Sequence, residues 1–301
     1  MKIIETRVLN NEYVSREWNL EHTTKYVFEL GEGKYIEAGY FIHFHDDEEV
    51  KRVVELPTSY GCPMKCKFCA SSFIEGGQRL NYTEILEIFN YICEREKLDC
   101  IKPLFVSLTG IGDLHFTIDV AEKVVESISQ ERKDVLFTVS SCFWTTSLLK
   151  RVESMYEIAH FRAVQVTYLS SNQCILKRLM GWFEYSNSDR IDFDKIVRYI
   201  STSKIPQYRI NYLMLKGIND SDESFDEFIS LVLSIRDRII VRISKLNVTK
   251  ASFINGIQES TIEKMEQLKS ALEEKGIKAY LFYSMKNDGM NCGQLLTEGT
   301  F

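Results

Sequence analysis

The stretch SYGCPMKCKFCA at residues 59–70 places Cys62, Cys66 and Cys69 at CxxxCxxC spacing on one short loop. It follows RVVELPT (52–58), whose β-branched residues predict a strand. In α/β folds, ligands gather where strands end and loops begin. We therefore expect this loop to hold the functional centre.

The remaining sequence alternates between strand-like and helix-like segments. Strands rich in β-branched and aromatic residues are predicted at 103–109, 135–141, 163–169, 208–215, 239–246 and 277–283. Apolar residues at helical spacing lie between them at 83–97, 119–133, 146–159, 193–201, 221–237 and 260–276. This alternation predicts an α/β fold, and because no GxGxxG follows the first strand, a partial (β/α)6 barrel is favoured over an open nucleotide-binding sheet.

The first fifty residues have a different pattern. KYVFEL (25–30) and KYIEAGYFIHF (34–44) alternate in polarity around a GEG turn, which predicts a β-hairpin. We therefore predict an N-terminal hairpin extension over 1–50, followed by a barrel over 51–301 with Cys292 in its C-terminal segment.

Composition limits the classes of function. The chain has 301 residues, 45% of them hydrophobic, and a net charge of -6, which argues against a general polyanion binder. No apolar run reaches the roughly 20 residues of a membrane helix, and the N-terminus has no signal-peptide pattern. These features predict a cytoplasmic protein without a membrane partner. In a reducing compartment the clustered cysteines favour a metal over a disulfide.

Three thiolates on one loop can hold three irons of a [4Fe–4S] cluster and leave the fourth iron open to a small chelating molecule. Structural zinc is the competing interpretation, although zinc prefers four ligands and paired CxxC knuckles, and the sequence has no second knuckle. Thiols without any metal role are the third.

With Phe68 before its last cysteine, and with its place after the first barrel strand, this loop resembles that of radical S-adenosylmethionine (radical SAM) enzymes. The resemblance implies that SAM chelates the open iron. An electron, from a reductant such as flavodoxin or ferredoxin, then cleaves SAM to give a 5′-deoxyadenosyl radical. It also implies a set of SAM contacts: Phe68 on the cluster loop, Gly110, Gly112 and Asp113 for the amino group, Ser140 and Thr167 for the ribose and carboxylate, and Asn247 for the adenosine part.

A narrower resemblance extends from about Thr24 to Leu295. The order of segments is similar to that of the radical SAM adenosine methyltransferases of ribosomal and transfer RNA, the RlmN and Cfr group. SYGCPMKCKFCASS (59–72) resembles their cluster loop, and NYLMLKGINDSDESF (211–225) is close to their EYVMLxxVNDxxEHA. MNCGQL (290–295) matches their C-terminal ACGQL. By this resemblance Cys292 accepts a methyl group from one SAM, and a radical made from a second SAM activates that methyl group for addition to adenine.

Three departures from the family pattern bear on which substrate can be expected. Glu55 stands where the family has a second catalytic cysteine; a carboxylate there can serve as a base but cannot form the disulfide that releases Cys292, unless Cys142 or another thiol reaches in. The family's helical RNA-binding domain has no counterpart before Thr24, and Leu169 replaces a histidine. Taken with the net charge of -6, the second and third departures weaken RNA as the substrate. The expected substrate is of the adenosine type, either RNA or a different or smaller molecule such as a nucleotide.

Several expectations stay open. The cations Lys65, Lys67, Arg79, Lys177, Arg178, Arg242, Lys245 and Lys250 are expected to form a scattered solvated face rather than a phosphate track. The alternative functions are radical SAM chemistry without methyl transfer on a small molecule or peptide, and a non-catalytic iron–sulfur or RNA-binding paralogue. The sequence fixes neither the oligomeric state nor the electron donor.

Overall fold

The computed structural model describes residues 2–9, 19–31, 33–45, 48–181, 191–283 and 293–295. Over these residues the strands are β1 Lys2–Leu9, β2 Asn19–Gly31, β3 Lys34–His45, β4 Glu48–Glu55, β5 Ser59–Tyr60, β6 Gln78–Arg79, β7 Leu104–Leu108, β8 Val135–Ser141, β9 Phe161–Tyr168, β10 Tyr208–Met214, β11 Ile239–Lys245 and β12 Ala279–Phe282. The α-helices are α1 Tyr82–Arg95, α2 Leu114–Glu131, α3 Thr146–Ile158, α4 Gln173–Leu179, α5 Phe193–Thr202, α6 Asp222–Val232, α7 Lys250–Ile254 and α8 Ile262–Glu274.

Ten of the described strands form one continuous sheet in the order β1-β2-β3-β4-β7-β8-β9-β10-β11-β12. All neighbours from β4 onward pair in parallel, and the connections between them run mostly through helices. The predicted partial βα barrel is confirmed. The predicted hairpin strands β2 and β3 extend the same sheet, because β3 pairs antiparallel with β4, with Gly39 opposite Glu55.

The two faces of the sheet differ in burial. In β8, Val135, Phe137 and Val139 are fully buried against the helices, whereas Leu136, Thr138 and Ser140 alternate with them and are partly exposed. Side chains alternate between the two faces of a strand, so this second set lines the interior of the barrel. The apolar core therefore lies between sheet and helices, and the barrel interior is lined by more accessible groups.

Helix boundaries differ from the predictions where capping decides them. The helix predicted to begin at 119 begins at Leu114, because the Asp113 side chain accepts a hydrogen bond from the backbone amide of His115 and so caps the first turn. The helix predicted over 221–237 ends at Val232 and continues as a 3-10 segment, Leu233–Arg238, in which Ile235 has non-helical torsion angles. None of the described helices is long and apolar enough to cross a lipid bilayer.

Candidate active site

The cysteine loop folds into two tight turns that bring its thiols together. Lys65 has a positive φ of 48°. Its backbone amide donates to the carbonyl of Cys62 across 3.3 Å, and the amide of Cys69 donates to the carbonyl of Cys66 across 3.1 Å. Each of the three thiols lies within electrostatic reach of the other two. Cys62 and Cys66 are buried, and Cys69 is partly exposed.

Contacts from the same loop and from the end of α4 hold these turns in place. The ammonium of Lys65 donates to the carbonyl oxygens of Ser72 and Ile74, both at 2.8 Å. The backbone amide of Gly181 donates to the carbonyl of Lys65, and a Cβ at position 181 would lie 2.8 Å from the Cβ of Lys65. The prediction that Lys65 belongs to a solvated face is therefore wrong, since its ammonium donates hydrogen bonds to carbonyl oxygens within the loop.

The surroundings of Cys62 and Cys66 favour the protonated form of these two thiols. Burial raises the pKa of Cys62, and the nearby Asp113 carboxylate raises it further. A hydrogen bond with Cys142 and burial raise the pKa of Cys66. Cys142 is therefore a fourth thiol at this place, contributed by the chain just after β8.

The chemistry of the three loop thiols suits an iron–sulfur cluster. Thiolates are the ligands that iron–sulfur clusters use, and positive metal ions offset the cost of deprotonating buried thiols. Cys62, Cys66 and Cys69 come from one loop of eight residues, which matches the compact ligand spacing of such clusters. In the described part of the chain, no three His, Cys, Asp or Glu side chains converge on a point suited to a single metal ion. The residues fit a cluster held by three loop thiols.

The segment Gly110-Ile111-Gly112 packs edge-on against the residues that lead into the cysteine loop. The amide of Gly110 donates to the carbonyl of Leu56, and the amide of Thr58 donates to the carbonyl of Ile111 across 2.8 Å. A Cβ at position 110 would lie 2.8 Å from the carbonyl oxygen of Leu56. Gly112 has a φ of +118°, and its Cβ would lie 2.5 Å from the Thr58 hydroxyl oxygen. Backbone conformation and close approach therefore both require glycine at position 112.

Asp113 joins the ends of β7 and β8 through its buried carboxylate. Oδ1 accepts from the Ser141 hydroxyl at 2.6 Å and from the amide of His115 at 2.9 Å, while Oδ2 accepts from the amide of Cys142 at 2.8 Å. Burial raises the pKa of Asp113, and these hydrogen bonds oppose the rise. Its contact with a SAM amino group stays a prediction, and such a group would be a fourth donor to this carboxylate.

The remaining predicted SAM contacts lie on the inner face or the rim of the barrel. The Ser140 hydroxyl accepts from Nε2 of Gln165 at 3.0 Å. Thr167 is buried and pairs in register with Asn211 of β10. Asn247 follows β11 and is partly buried. Ser140 and Thr167 therefore share the interior face, and Asn247 lies at the carboxyl end of the barrel.

Glu55 is the last residue of β4 and is partly buried at the same end of the barrel. Its Oε2 accepts a hydrogen bond from the Thr109 hydroxyl at 2.8 Å. That hydroxyl lies 2.7 Å from the Ser107 hydroxyl. The Thr109 hydroxyl, just after the neighbouring strand β7, thus orients this carboxylate. Glu55 directly precedes Leu56, the first residue of the segment that leads to the cysteine loop.

The C-terminal segment is fastened directly to the cysteine loop. The amide of Ala70, the residue after Cys69, donates to the carbonyl of Gly293 at 2.8 Å. Leu295 packs against Ala70 and Ile111. Cys292 itself lies outside the described residues, but Gly293 is its neighbour in the chain. The structure therefore brings the end of the CGQL motif to the cluster loop.

Two further contacts hold this segment, and one of the residues that make them, Lys25, was not predicted from the sequence. Lys25 is 5% exposed, and its ammonium lies 3.3 Å from Oε2 of Glu37 and donates to the carbonyl of Gln294 at 3.0 Å. Nε2 of Gln294 donates to the carbonyl of Val248 at 2.9 Å. The position of Lys25 on the inward-facing side of the alternating hairpin strand is the sequence signal that could have identified this residue.

Phe68 is 8% exposed and is part of the main apolar cluster. Its carbonyl accepts from the Thr249 hydroxyl at 3.0 Å, which ties the loop to the start of α7. Phe68 therefore fixes the loop against the barrel rim. A direct contact of its ring with SAM stays a prediction.

Comparison with known proteins supports the resemblance seen in the motifs. The probable dual-specificity RNA methyltransferase RlmN of Lachnospira eligens is 25% identical over 282 residues, covering 92% of this chain and 75% of the relative. The protein of the same name from Clostridium novyi is 26% identical over 292 residues, covering 94% and 78%. No protein-family model matches the chain.

Solved structures show the fold. A radical SAM methyltransferase from Sphaerobacter thermophilus superposes with a TM-score of 0.77 at 18% identity, covering 97% of this chain and 80% of that one. SuiB from Streptococcus suis, solved with S-adenosylmethionine bound, gives a TM-score of 0.54 at 14% identity over 77% of this chain and 51% of SuiB. These likenesses confirm the predicted partial barrel. The curated relatives agree with the resemblance of this chain to the RNA methyltransferases.

Proposed function

We propose that this chain, a radical SAM protein related to the RlmN and Cfr group, transfers a methyl group to an adenosine nucleotide with Cys292 as methyl carrier. The hydrogen bond from Ala70 to Gly293 is the observation that carries the proposal, because it joins the cluster loop to the residue after Cys292. The curated relatives named RNA methyltransferases support RNA as the source of that nucleotide.

Cys62, Cys66 and Cys69 would hold the [4Fe–4S] cluster, and SAM would bind beside it at the carboxyl end of the barrel. Bound together, the cluster and SAM supply a 5′-deoxyadenosyl radical that abstracts hydrogen from a C–H bond. Gly110 and Gly112 shape the edge of this site by backbone contacts, while Ser140, Thr167 and Asn247 offer polar side chains from three successive parts of the barrel wall.

The chain's own groups would then position the reactants and move protons. Cys292 provides the sulfur that accepts the methyl group. Glu55 would serve as the base that removes a proton from the substrate carbon, since its carboxylate is oriented by the Thr109 hydroxyl at the barrel mouth. Cys142 lies outside the cysteine loop and shares a hydrogen bond with Cys66. Among the described cysteines, it is therefore the one that can supply a resolving thiol at this site.

A small redox protein such as a flavodoxin or ferredoxin is the proposed electron donor. Cys69 is partly exposed, so one edge of the cluster loop approaches the surface. Lys250, at the start of α7 next to this loop, is exposed and offers a positive charge to an acidic partner.

Anaerobic reconstitution tests the proposal. The full chain, loaded with iron and sulfide and reduced by dithionite, should convert SAM to 5′-deoxyadenosine. Mass measurement should find a methyl group on the peptide that contains Cys292. The variant Cys292→Ser should lose that modification while keeping its iron and sulfide content.

A second candidate follows from the replacement at Glu55, since the family's second catalytic cysteine is absent from that position. In this version the enzyme performs radical chemistry without methyl transfer, and Cys292 donates hydrogen or binds substrate. An unmethylated Cys292 peptide, recovered after 5′-deoxyadenosine has formed, would favour it.

A further inference from the structure

The interior of the barrel carries an unexpected group of cations. Arg209 of β10 and Arg242 of β11 lie on its inner face, where Arg209 pairs in register with Gln165 and Arg242 with Asn211. Lys51 of β4 approaches both arginines closely enough to interact electrostatically, although β4 and β10 are separated by three strands in the sheet. The three cations therefore converge across the interior from different walls.

Arg242 is held in a defined orientation. Its Nε donates to Oδ1 of Asn211 and to the Ser244 hydroxyl, both at 3.0 Å. Its guanidinium also lies over the ring of Phe282, with Cζ 4.0 Å from the ring centroid. Polar and aromatic neighbours of this kind orient a guanidinium for binding an anion. The prediction that Arg242 belongs to a scattered solvated face is therefore wrong.

The grouping of like charges costs free energy in the unliganded protein. Burial and, to a smaller extent, the positive charges of Arg209, Arg162 and Arg242 together lower the pKa of Lys51 to about 7. Burial and Lys51 together lower the pKa of His43, which is paired in register with Lys51 on β3. Glu55, the acid on the same face of β4, lies four residues along the strand from Lys51, a separation of about 13 Å. An anion among these cations would offset their repulsion.

Gln165 provides an independent sign of a ligand. It is 7% exposed, and its Nε2 donates to Ser140, but its Oε1 is buried without a hydrogen-bond partner. Buried polar atoms are almost always paired, so an unpaired acceptor needs a donor that the chain does not supply. Gln165 pairs in register with Arg209, one of the three cations.

We propose that Lys51, Arg209 and Arg242 form an anion site inside the barrel that binds a phosphate group, while Gln165 accepts a hydrogen bond from a hydroxyl of the same ligand. A nucleoside monophosphate carries both groups, a terminal phosphate and ribose hydroxyls. In the register of the sheet, Arg209 is level with Ser140 through Gln165, and Arg242 is level with Thr167 through Asn211, so the site adjoins these predicted SAM contacts. The inference rests on the proposed function in taking this ligand to be the substrate nucleotide.

Calorimetric titration of the full, cluster-loaded chain with adenosine monophosphate, adenosine and inorganic phosphate tests the site at fixed ionic strength. Saturating SAM keeps the nucleoside from the SAM site. We expect adenosine monophosphate to bind at least tenfold more tightly than either adenosine or phosphate. Equal affinity for the monophosphate and adenosine would overturn the anion site, and equal affinity for the monophosphate and phosphate would overturn the role of Gln165.

Variants separate binding from folding. Arg209→Gln should weaken binding of the monophosphate at least tenfold and leave adenosine unchanged. Lys51→Met should also weaken it, and the melting temperature of each variant checks that it remains folded. Arg236→Gln, at a half-exposed arginine, is the matched control and should change neither quantity. Unaltered monophosphate binding in both site variants would overturn the proposal.

These assays do not depend on turnover. Formation of 5′-deoxyadenosine without tight monophosphate binding would remove this inference and leave the proposed function in place. Monophosphate binding without 5′-deoxyadenosine would do the reverse.

Discussion

The backbone amide of Ala70 donates a 2.8 Å hydrogen bond to the carbonyl of Gly293, across 223 positions of sequence. Ala70 follows the last cysteine of the cluster loop, and Gly293 follows Cys292. A main-chain contact of this kind sets the distance between the two loops whatever side chains they carry. The structure thereby brings together two motifs that lie near the beginning and the end of the barrel sequence.

Lys25 should control how firmly the C-terminal segment is held. Lys25→Met leaves the Glu37 carboxylate buried without this partner, since the two side chains are 7% and 3% exposed. We expect the free energy of unfolding, measured in urea, to fall by about 3 kcal/mol. The segment around Gln294 should also be cut faster by protease. In the double variant Lys25→Met/Glu37→Gln, stability should partly recover while the segment stays loose; unchanged cleavage in both variants would contradict this role.

Gly112 should be intolerant of a side chain. Gly112→Ala combines an unfavourable φ of +118° with a Cβ 2.5 Å from the Thr58 hydroxyl oxygen, so the lead-in to the cluster loop must shift. We expect about 2 kcal/mol of destabilisation and weaker SAM binding. Gly217→Ala is the control, because its φ is also positive, at +67°, but no atom lies within 4 Å of the added Cβ. Equal SAM affinity in the two variants would show that the close contact is unimportant.

Cys142 should be dispensable for holding the cluster. Cys142→Ala removes the thiol that bonds to Cys66 but leaves Cys62, Cys66 and Cys69 to ligate three irons. We therefore expect iron and sulfide contents equal to those of the parent chain, and the same change in the electron paramagnetic resonance spectrum when SAM is added. Loss of the cluster would instead identify Cys142 as a ligand.

Glu55→Gln should separate radical formation from product formation. The amide oxygen can still accept the Thr109 hydrogen bond at this position, so the fold should be preserved, but the base is lost. We expect methylated product to fall by about a hundredfold while 5′-deoxyadenosine still forms. Thr109→Val, which removes only the hydrogen bond, should have a smaller effect. A Glu55→Gln enzyme with parental turnover would exclude Glu55 as the base.

Sequence patterns predicted the strands of the barrel well where one face is uniformly apolar. The predicted strand 135–141 coincides with β8, because its buried residues Val135, Phe137 and Val139 recur at every second position. The start of α2 was missed by five residues, since the polar cap at Asp113 is recognisable only from its hydrogen bonds. The first strand, Lys2–Leu9, was not predicted; its pairing with β2 includes a register shift between Ile3 and Glu5 that interrupts simple alternation.

The site was only partly accessible to sequence reasoning. Spacing alone located Cys62, Cys66 and Cys69, because all three lie on one loop. Arg242 was assigned to a solvated face because the inward side of a barrel strand and the outward side of an open sheet show the same alternation of polar and apolar residues. Lys25 and Cys142 reach the site only through tertiary contacts, with Gln294 and Cys66 respectively.

We infer that the loop of Cys62, Cys66 and Cys69 holds a cluster that activates SAM next to Cys292. The most direct measurement is quantification of 5′-deoxyadenosine and of S-methylated Cys292 peptide after anaerobic incubation of the reconstituted, reduced full chain with SAM. We expect both products in the parent chain and no 5′-deoxyadenosine when the three loop cysteines are replaced by alanine. A parent chain that binds four irons yet forms no 5′-deoxyadenosine would contradict it.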